Sequence, residues 1–188
     1  MNAPSHDYQQ LIDIFAACFY ASENTRLVAG KDEPYYLPAG QVLAEGDTAA
    51  GYHQVVFAHG FYASALHEIA HWCIAGSERR KQFDYGYWYA PDGRNAQQQS
   101  EFEQVERKPQ ALEWLFADAA GFVFQVSVDN LSGIEVDRAA FTAQVAKQKQ
   151  AYLNHGLPSR AEAFRQALLA YYQQALPSSL NEKQLCYG

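Results

Sequence analysis

The spacing of apolar residues predicts six helices along the 188-residue chain. The first helix is predicted from four apolar residues at helical spacing: Leu11, Ile12, Phe15 and Phe19. Ser5 is a suitable N-terminal cap for it. Five further helices are predicted over residues 64–76, 95–107, 109–124, 137–156 and 159–176. Helices are therefore expected to form most of the regular structure.

One proline and several capping residues define the predicted helix ends. Pro109 lacks an N–H and biases Lys108 away from the α region, so one helix should end before it and another should begin at Pro109. The other boundaries carry residues typical of helix ends: Ser64 and Gly76, Asp137 and Gly156, and Ser159 with Glu162 as a capping box. The chain after residue 177 is expected to be loose.

Two segments have the composition of β-strands. Residues 53–58 have Val55, Val56 and Phe57 at their centre and are expected to be buried. Residues 83–89 place alternate aromatic rings on one face. Residues 24–47 are rich in glycine, proline and charge, and we interpret them as a loop with short extended pieces. Since no repeat or linker divides the chain, we predict an α+β fold in which residues 1–188 form a single domain, with several helices packed on a small mixed sheet.

The chain carries a formal net charge of −7, which makes positively charged groups its more natural ligands. There is no basic stripe, so a nucleic-acid partner is not expected. No stretch approaches the roughly 20 apolar residues that span a bilayer, and the N-terminus lacks the features of a targeting segment. We therefore expect a cytoplasmic protein without a membrane partner. Cys18, Cys73 and Cys186 are odd in number and far apart, which argues against a disulfide framework or a cysteine-pair zinc site.

The segment with the clearest chemistry contains two histidines four positions apart, His67 and His71, in a predicted helix. Residues with this spacing project from one helix face, so both imidazoles can reach one metal ion at about 2.0–2.1 Å. Glu68 points about 100° around the helix, from where it reaches a metal-bound water more easily than the metal. Burying two unpaired imidazoles among apolar neighbours is costly, and a shared metal satisfies both. The sequence therefore predicts a metal site on this helix, which we expect to be central in the fold.

A third protein ligand must come from outside this helix. The extended metalloprotease pattern would place glycine and histidine at positions that hold Ile74 and Ser77. The candidate carboxylate ligands lie near the predicted helix break: Glu103, Glu106 and Glu113. Glu106 is favoured, because a bend there would aim it inward, whereas Glu113 lies beyond the break and should point elsewhere. Glu103, one turn before Glu106, is then expected to orient a ligating histidine or to bind the substrate amine.

Several longer runs of residues carry a resemblance that extends over nearly the whole chain. They are DEP at 32–34, VFAHGFYAS at 56–64, HE at 67–68, HWCIAG at 71–76, GYWY at 86–89, PDGR at 91–94, FE at 102–103, the glutamate at 106 and KPQAL at 108–112. Together these runs resemble the elongation factor P hydroxylase family. The match is looser from about Asp129 onward.

The resemblance implies a specific post-translational modification of a translation factor. The family hydroxylates the lysine of elongation factor P that carries a β-lysyl group, and this factor helps ribosomes through proline runs. The resemblance also implies a fold like that of a small metal-dependent ribonuclease family, an iron site, and molecular oxygen as cosubstrate. Carried over to this chain, the iron ligands would be His67, His71 and Glu106. Two histidines and one carboxylate leave open positions on Fe(II), the arrangement used for oxygen activation.

Aromatic and acidic residues are candidates for holding the cationic substrate chain. Tyr87 and Trp88 can contact a lysine ammonium through their ring faces. Asp32 and Glu33 can bind it by charge. These four residues are therefore the predicted substrate-binding residues.

Two other functions remain open from the residues alone. In a zinc-dependent hydrolase, either a peptidase or a ribonuclease, Glu68 would be the general base acting on zinc-bound water. In a binding module, the metal would be structural, with His59 or Cys73 as a fourth ligand that closes the site.

Overall fold

The computed structural model describes residues 6–85, 92–128, 130 and 134–175. These residues form five α-helices and three β-strands: α1 (Tyr8–Glu23), β1 (Thr25–Ala29), β2 (Tyr35–Leu37), β3 (His53–Phe57), α2 (Tyr62–Ile74), α3 (Ala96–Ala120), α4 (Arg138–His155) and α5 (Ser159–Ala175). A 3-10 turn follows α2 at Arg79–Lys81. The architecture confirms the predicted α+β class. None of the described helices is long and apolar enough to cross a membrane.

The sheet is small and mixed, as predicted. Its strand order is β1-β3-β2, with β1 parallel and β2 antiparallel to β3. Strand β3 agrees with the strand predicted at residues 53–58. Strand β1 lies in the segment that we interpreted as a loop with short extended pieces. It is only five residues long, with Thr25 and Leu27 buried, so its pairing with β3 stabilises it more than any local pattern.

Helix α2 lies at the centre of the main core. Leu66, Ile69 and Ala70 of α2 are fully buried and pack in one apolar cluster with side chains from α1, α3 and α5. The helix also packs on β3 of the sheet. The predicted position of the metal motif on a central helix is therefore confirmed.

Arg160 of α5 holds the C-terminal end of α2. Its Nη2 donates hydrogen bonds to the carbonyl oxygens of Trp72, Cys73 and Ala75 at 3.0, 3.2 and 2.6 Å. These bonds satisfy carbonyls at the helix end and place a positive charge at the negative end of its dipole. The guanidinium also lies over the Trp72 ring, 4.7 Å from the centroid. Helix α2 is thus anchored both along its apolar face and at its end.

The predicted ends of α1 and α4 agree in part with the structure. Asp7 caps α1, and Ser5 lies outside the described residues. Asp137 caps α4 through its side chain, and Gly156 follows the last residue of that helix, as predicted. Helix α5 begins at Ser159, and the segment after residue 177 lies outside the described chain.

Helix α2 begins earlier than its sequence indicated. Its first residue is Tyr62, with Phe61 at the cap position, so the prediction of Ser64 as the cap was wrong. The hydroxyl of Ser64 instead accepts a hydrogen bond from the N–H of Ala58 at 3.1 Å. The serine therefore secures the loop that enters the helix.

Pro109 does not break the helix, and that prediction was also wrong. Helix α3 runs without interruption from Ala96 to Ala120 with Pro109 inside it. Pro109 cannot donate to the carbonyl of Val105, but Val105 is exposed, so water can satisfy that carbonyl. The cost of an interior proline is about 3 kcal/mol. Burial of Leu112 and Phe116 on the same helix offsets a cost of this size.

The second predicted strand lies only partly within the described chain. Asp84 forms an isolated antiparallel bridge with Tyr36 of β2. Residues 86–91 lie outside the described residues. The bridge brings the segment after α2 against the edge of the sheet.

Candidate metal centre

Helix α2 presents His67 and His71 toward α3. Their neighbours Leu66 and Ala70 are fully buried, because one step along a helix turns the side chain toward the core. The two histidine side chains keep 18% and 14% of their surface exposed. Their ring centroids are 4.7 Å apart and their Nε2 atoms are 3.0 Å apart. Both rings therefore direct Nε2 toward a common point.

Helix α3 brings Glu106 to that point. Its Oε2 lies 3.4 Å from His67 Nε2, and its Oε1 lies 3.2 Å from His71 Nε2. The Glu106 side chain is only 2% exposed. One ligand atom from each of these three residues lies within 4.8 Å of the other two. The structure thus brings together the three residues that the sequence predicted as metal ligands.

The three donors fit a divalent metal ion. Ligands about 2.1 Å from one ion at angles of 90–110° are roughly 3.0–3.4 Å apart, and the separations here fall in that range. Two neutral imidazoles that face each other through Nε2 need a shared proton or a cation between them. A metal satisfies both nitrogens and the buried carboxylate. Three protein ligands also leave coordination positions of the metal open for other groups.

Glu113, a second carboxylate of α3, holds His67 from its far side. His67 Nδ1 donates a hydrogen bond to Glu113 Oε2 at 2.8 Å. In the neutral ring, this bond makes Nδ1 the N–H nitrogen and leaves Nε2 with the lone pair that a metal requires. Glu113 is buried and stands outside the ligand cluster. Its position therefore suits a residue that orients a candidate ligand rather than one that supplies a ligand.

The continuity of α3 explains how both carboxylates reach α2. The buried residues of one stripe follow the spacing of a single helix face: Glu106, Pro109, Gln110 and Glu113. Residues seven apart lie two turns apart on the same side. Glu103 was expected to orient a histidine or to bind the substrate amine; it accepts a hydrogen bond from Gln99 at 3.2 Å rather than one from a histidine, and its role toward a substrate stays a prediction. The seven-residue spacing of Glu106 and Glu113 could have indicated that both face α2, but the helix break predicted at Pro109 placed them on different helices.

The carboxylates raise the pKa of His67. Burial alone would lower that pKa, but the hydrogen bond to Glu113 and the charges of Glu106, Glu113 and Glu68 raise it to about 10. Burial raises the pKa of the Glu68 carboxyl, and the nearby His67 and His71 oppose the change. Several carboxylates around two imidazoles favour a positive ion in their midst.

Comparison with known proteins identifies the family. The chain matches the model of the elongation factor P hydroxylase family over residues 14–184. It is 52% identical to the elongation factor P lysine hydroxylase of Haemophilus influenzae over 167 residues, which cover 89% of this chain and 90% of that relative. The chain belongs to the elongation factor P hydroxylase family. The resemblance inferred from the motifs is thereby confirmed.

Two of the four predicted substrate-binding residues of this hydroxylase-family chain are described, and they do not join the ligand cluster. Asp32 and Glu33 are exposed between β1 and β2. Tyr87 and Trp88 lie outside the described residues. Their roles remain predictions. By contrast, Glu68 lines a cavity together with His71.

Neither residue considered as a fourth ligand joins the cluster in the described part of the chain. Cys73 is buried in the main core. His59 lies in the loop before α2, where its ring packs near that of Phe61 with centroids 6.0 Å apart. Among the described residues, no further side chain closes the site. Three protein ligands, the number that the described residues provide, favour a catalytic over a structural metal.

Metal affinity of this family member is expected to rise with pH. The raised pKa of His67, about 10, favours a ring with protons on both nitrogens at neutral pH before metal binds. Metal binding needs the Nε2 lone pair and must displace the proton on Nε2, so raising the pH removes a competitor. Between about pH 6.5 and 8.5 the association constant should increase roughly tenfold per pH unit for each displaced proton. Calorimetric titration with Co(II) in buffers of different ionisation enthalpy measures the association constant and the number of protons released. An association constant that does not change with pH, without proton release, would contradict the prediction.

Glu113→Gln is expected to weaken metal binding without abolishing it. The amide keeps the shape of the carboxylate but not its charge, so the His67 ring becomes less basic and less firmly oriented. Loss of such a partner typically costs about 10- to 100-fold in metal affinity. Glu103→Gln is the matched control, since Glu103 lies on the same helix and contacts neither histidine. Competition titration with a chromophoric chelator compares the two variants, and an equal loss in both would show that Glu113 has no special role.

Proposed function

We propose that this protein is a non-haem iron-dependent hydroxylase that uses molecular oxygen to modify a lysine of elongation factor P. The observation that carries the proposal is the cluster of His67, His71 and Glu106 in a chain of the elongation factor P hydroxylase family. Two imidazoles and one carboxylate form the ligand set of iron enzymes that activate oxygen. The relative from Haemophilus influenzae is named for lysine hydroxylation of the same factor.

The residues of the chain have distinct tasks in this proposal. Bound Fe(II) would supply the activation of oxygen at the coordination positions that the protein leaves open. His67 and His71 hold the metal on a helix that is anchored in the core. Glu106 adds a buried negative charge that favours a divalent cation. Glu113 keeps the His67 ring in the tautomer and direction needed for binding.

We infer that the substrate is the lysine that already carries its β-lysyl group, presented on folded elongation factor P. The family resemblance supports this choice, and a net charge of −7 suits an extended cationic side chain. A translation factor as partner implies work in the cytoplasm. No nucleic acid or membrane is needed for this reaction.

A zinc-dependent hydrolase is the second candidate, because Glu68 follows His67 directly and lines the cavity beside His71. A carboxylate in this position suits a general base that acts on metal-bound water. Family membership favours the hydroxylase. Metal identity separates the two functions: protein purified without oxygen should require iron and consume oxygen, whereas a hydrolase would require zinc and consume none.

Mass spectrometry of elongation factor P tests the proposal directly. Purified factor carrying the β-lysyl group is incubated in air with iron-loaded protein and a chemical reductant such as ascorbate, which supplies the two electrons that reduce the second oxygen atom to water, and the factor is then digested. We expect a gain of one oxygen atom on the peptide that carries the modified lysine. Isotopically labelled oxygen gas should supply that atom. No gain with iron, or an equal gain on unmodified factor, would contradict the assignment.

A further inference from the structure

A small cavity lies next to His71, beside the metal cluster. Its volume is about 40 Å³. Its walls come from α2, from β2 and from the segment that follows α2, and they include Glu68, His71, Tyr35, Tyr36, Arg79 and Asp84. By the same measure a cavity needs roughly 10–15 Å³ to hold one water molecule. The cavity therefore has room for an ammonium group and a few methylene groups of a substrate chain.

Glu68 contributes a carboxylate without a hydrogen-bonding partner to the described cavity wall. The two arginines of the wall are each neutralised, since Arg79 pairs with Asp84 and Arg80 pairs with Glu23 at 2.7 Å. In the part of the chain that the structure describes, the Glu68 carboxylate has neither a hydrogen-bond nor an ion-pair partner. A half-buried carboxylate without a partner is costly for the fold. Such a group is typical of a position where a cation binds.

The opposite wall is held firmly in place. The Tyr36 hydroxyl donates a hydrogen bond to the carbonyl of Arg80 at 3.0 Å. The main chain of Tyr36 pairs with that of Asp84 through two N–H···O hydrogen bonds of 2.7 and 3.1 Å. Tyr35 lies beside it in β2, with its ring 5.9 Å from that of Phe83. Tyrosine rings offer apolar contact to methylene groups and attract an ammonium through their faces.

We propose that Glu68 binds an ammonium group of the substrate side chain in this cavity and thereby sets which carbon lies over the metal. The inference rests on the proposed function, because it takes a cationic lysine derivative as the substrate. Glu68 sits between His67 and His71 on one rigid helix, with a rise of about 1.5 Å per residue, so a bound ammonium is held at a fixed distance from the metal. A chain extended by a β-lysyl group can place an amine here and a lysine carbon over the metal. The shorter unmodified lysine cannot do both.

Glu68→Gln tests this role through binding and kinetics. Wild type, Glu68→Gln and Glu68→Asp are loaded with iron under nitrogen, so that binding is measured without turnover. Affinity for elongation factor P with and without the β-lysyl group is measured by calorimetry, and KM and kcat are measured in air. Glu101→Gln is the control, since Glu101 is an exposed residue of α3 whose partner is Gln97.

We expect Glu68→Gln to keep its iron and lose roughly 10- to 100-fold of affinity for the modified factor, the range for one charge-assisted hydrogen bond. Its affinity for the unmodified factor should not change, and Glu68→Asp should retain part of the preference. An intact preference, a fall in kcat alone, or loss of iron in Glu68→Gln would each overturn the inference. Failure of the proposed function looks different: wild type itself would then not hydroxylate the modified factor.

Discussion

Replacing His67 or His71 with alanine is expected to abolish metal binding and hydroxylation together. Each change removes one of three proposed ligands whose donor atoms lie within 4.8 Å of one another. We expect a loss of roughly 100-fold or more in metal affinity, because the two remaining donors cannot hold the ion against water. Iron content after desalting and oxygen gain on elongation factor P measure the two effects.

The fold should survive both substitutions, because the apolar face of α2 is formed by other residues such as Leu66 and Ile69. Circular dichroism and thermal unfolding test this. His155→Ala is the matched control, since His155 is exposed at the end of α4. Full activity in either purified His67 or His71 variant would refute the metal assignment. Unfolding of wild type on chelation would instead favour a structural metal.

Glu106→Gln is expected to cost most of the iron affinity and essentially all turnover. The amide has nearly the same shape, so the helix and its packing should remain, but the buried negative charge that faces both histidines is lost. A neutral amide is a poorer ligand than a carboxylate for Fe(II). Iron occupancy, hydroxylation and melting temperature are compared with those of Glu103→Gln. Loss of metal in the Glu103 variant with retention in the Glu106 variant would assign the ligand to Glu103.

The metal motif was predictable because its geometry is local. His67 and His71 are four residues apart, and the helical period alone puts their rings on one face. Asp137 and Gly156 likewise defined α4 through short-range capping chemistry. Strand β3 was equally predictable from its composition, because a short apolar run indicates a strand that is buried on both faces.

The site beyond α2 depends on contacts between residues far apart in the chain. Glu113 is 46 positions from His67, and only the continuous α3 brings the two together. The local rule for Pro109 predicts a break, yet burial along one side of α3 outweighs the single lost hydrogen bond.

The sequence by itself determined the class of fold, the family, and the histidine pair with Glu106 as its favoured carboxylate partner. The tertiary structure decided which second carboxylate supports the site, giving Glu113 the contact that we had expected of Glu103. It also decided that Glu68 faces a cavity walled by β2 and by the segment after α2. The physical reason is the range of the forces involved. Helical periodicity and capping act within a few residues, whereas the packing of α2 against α3 and the sheet joins distant segments whose meeting no local pattern encodes.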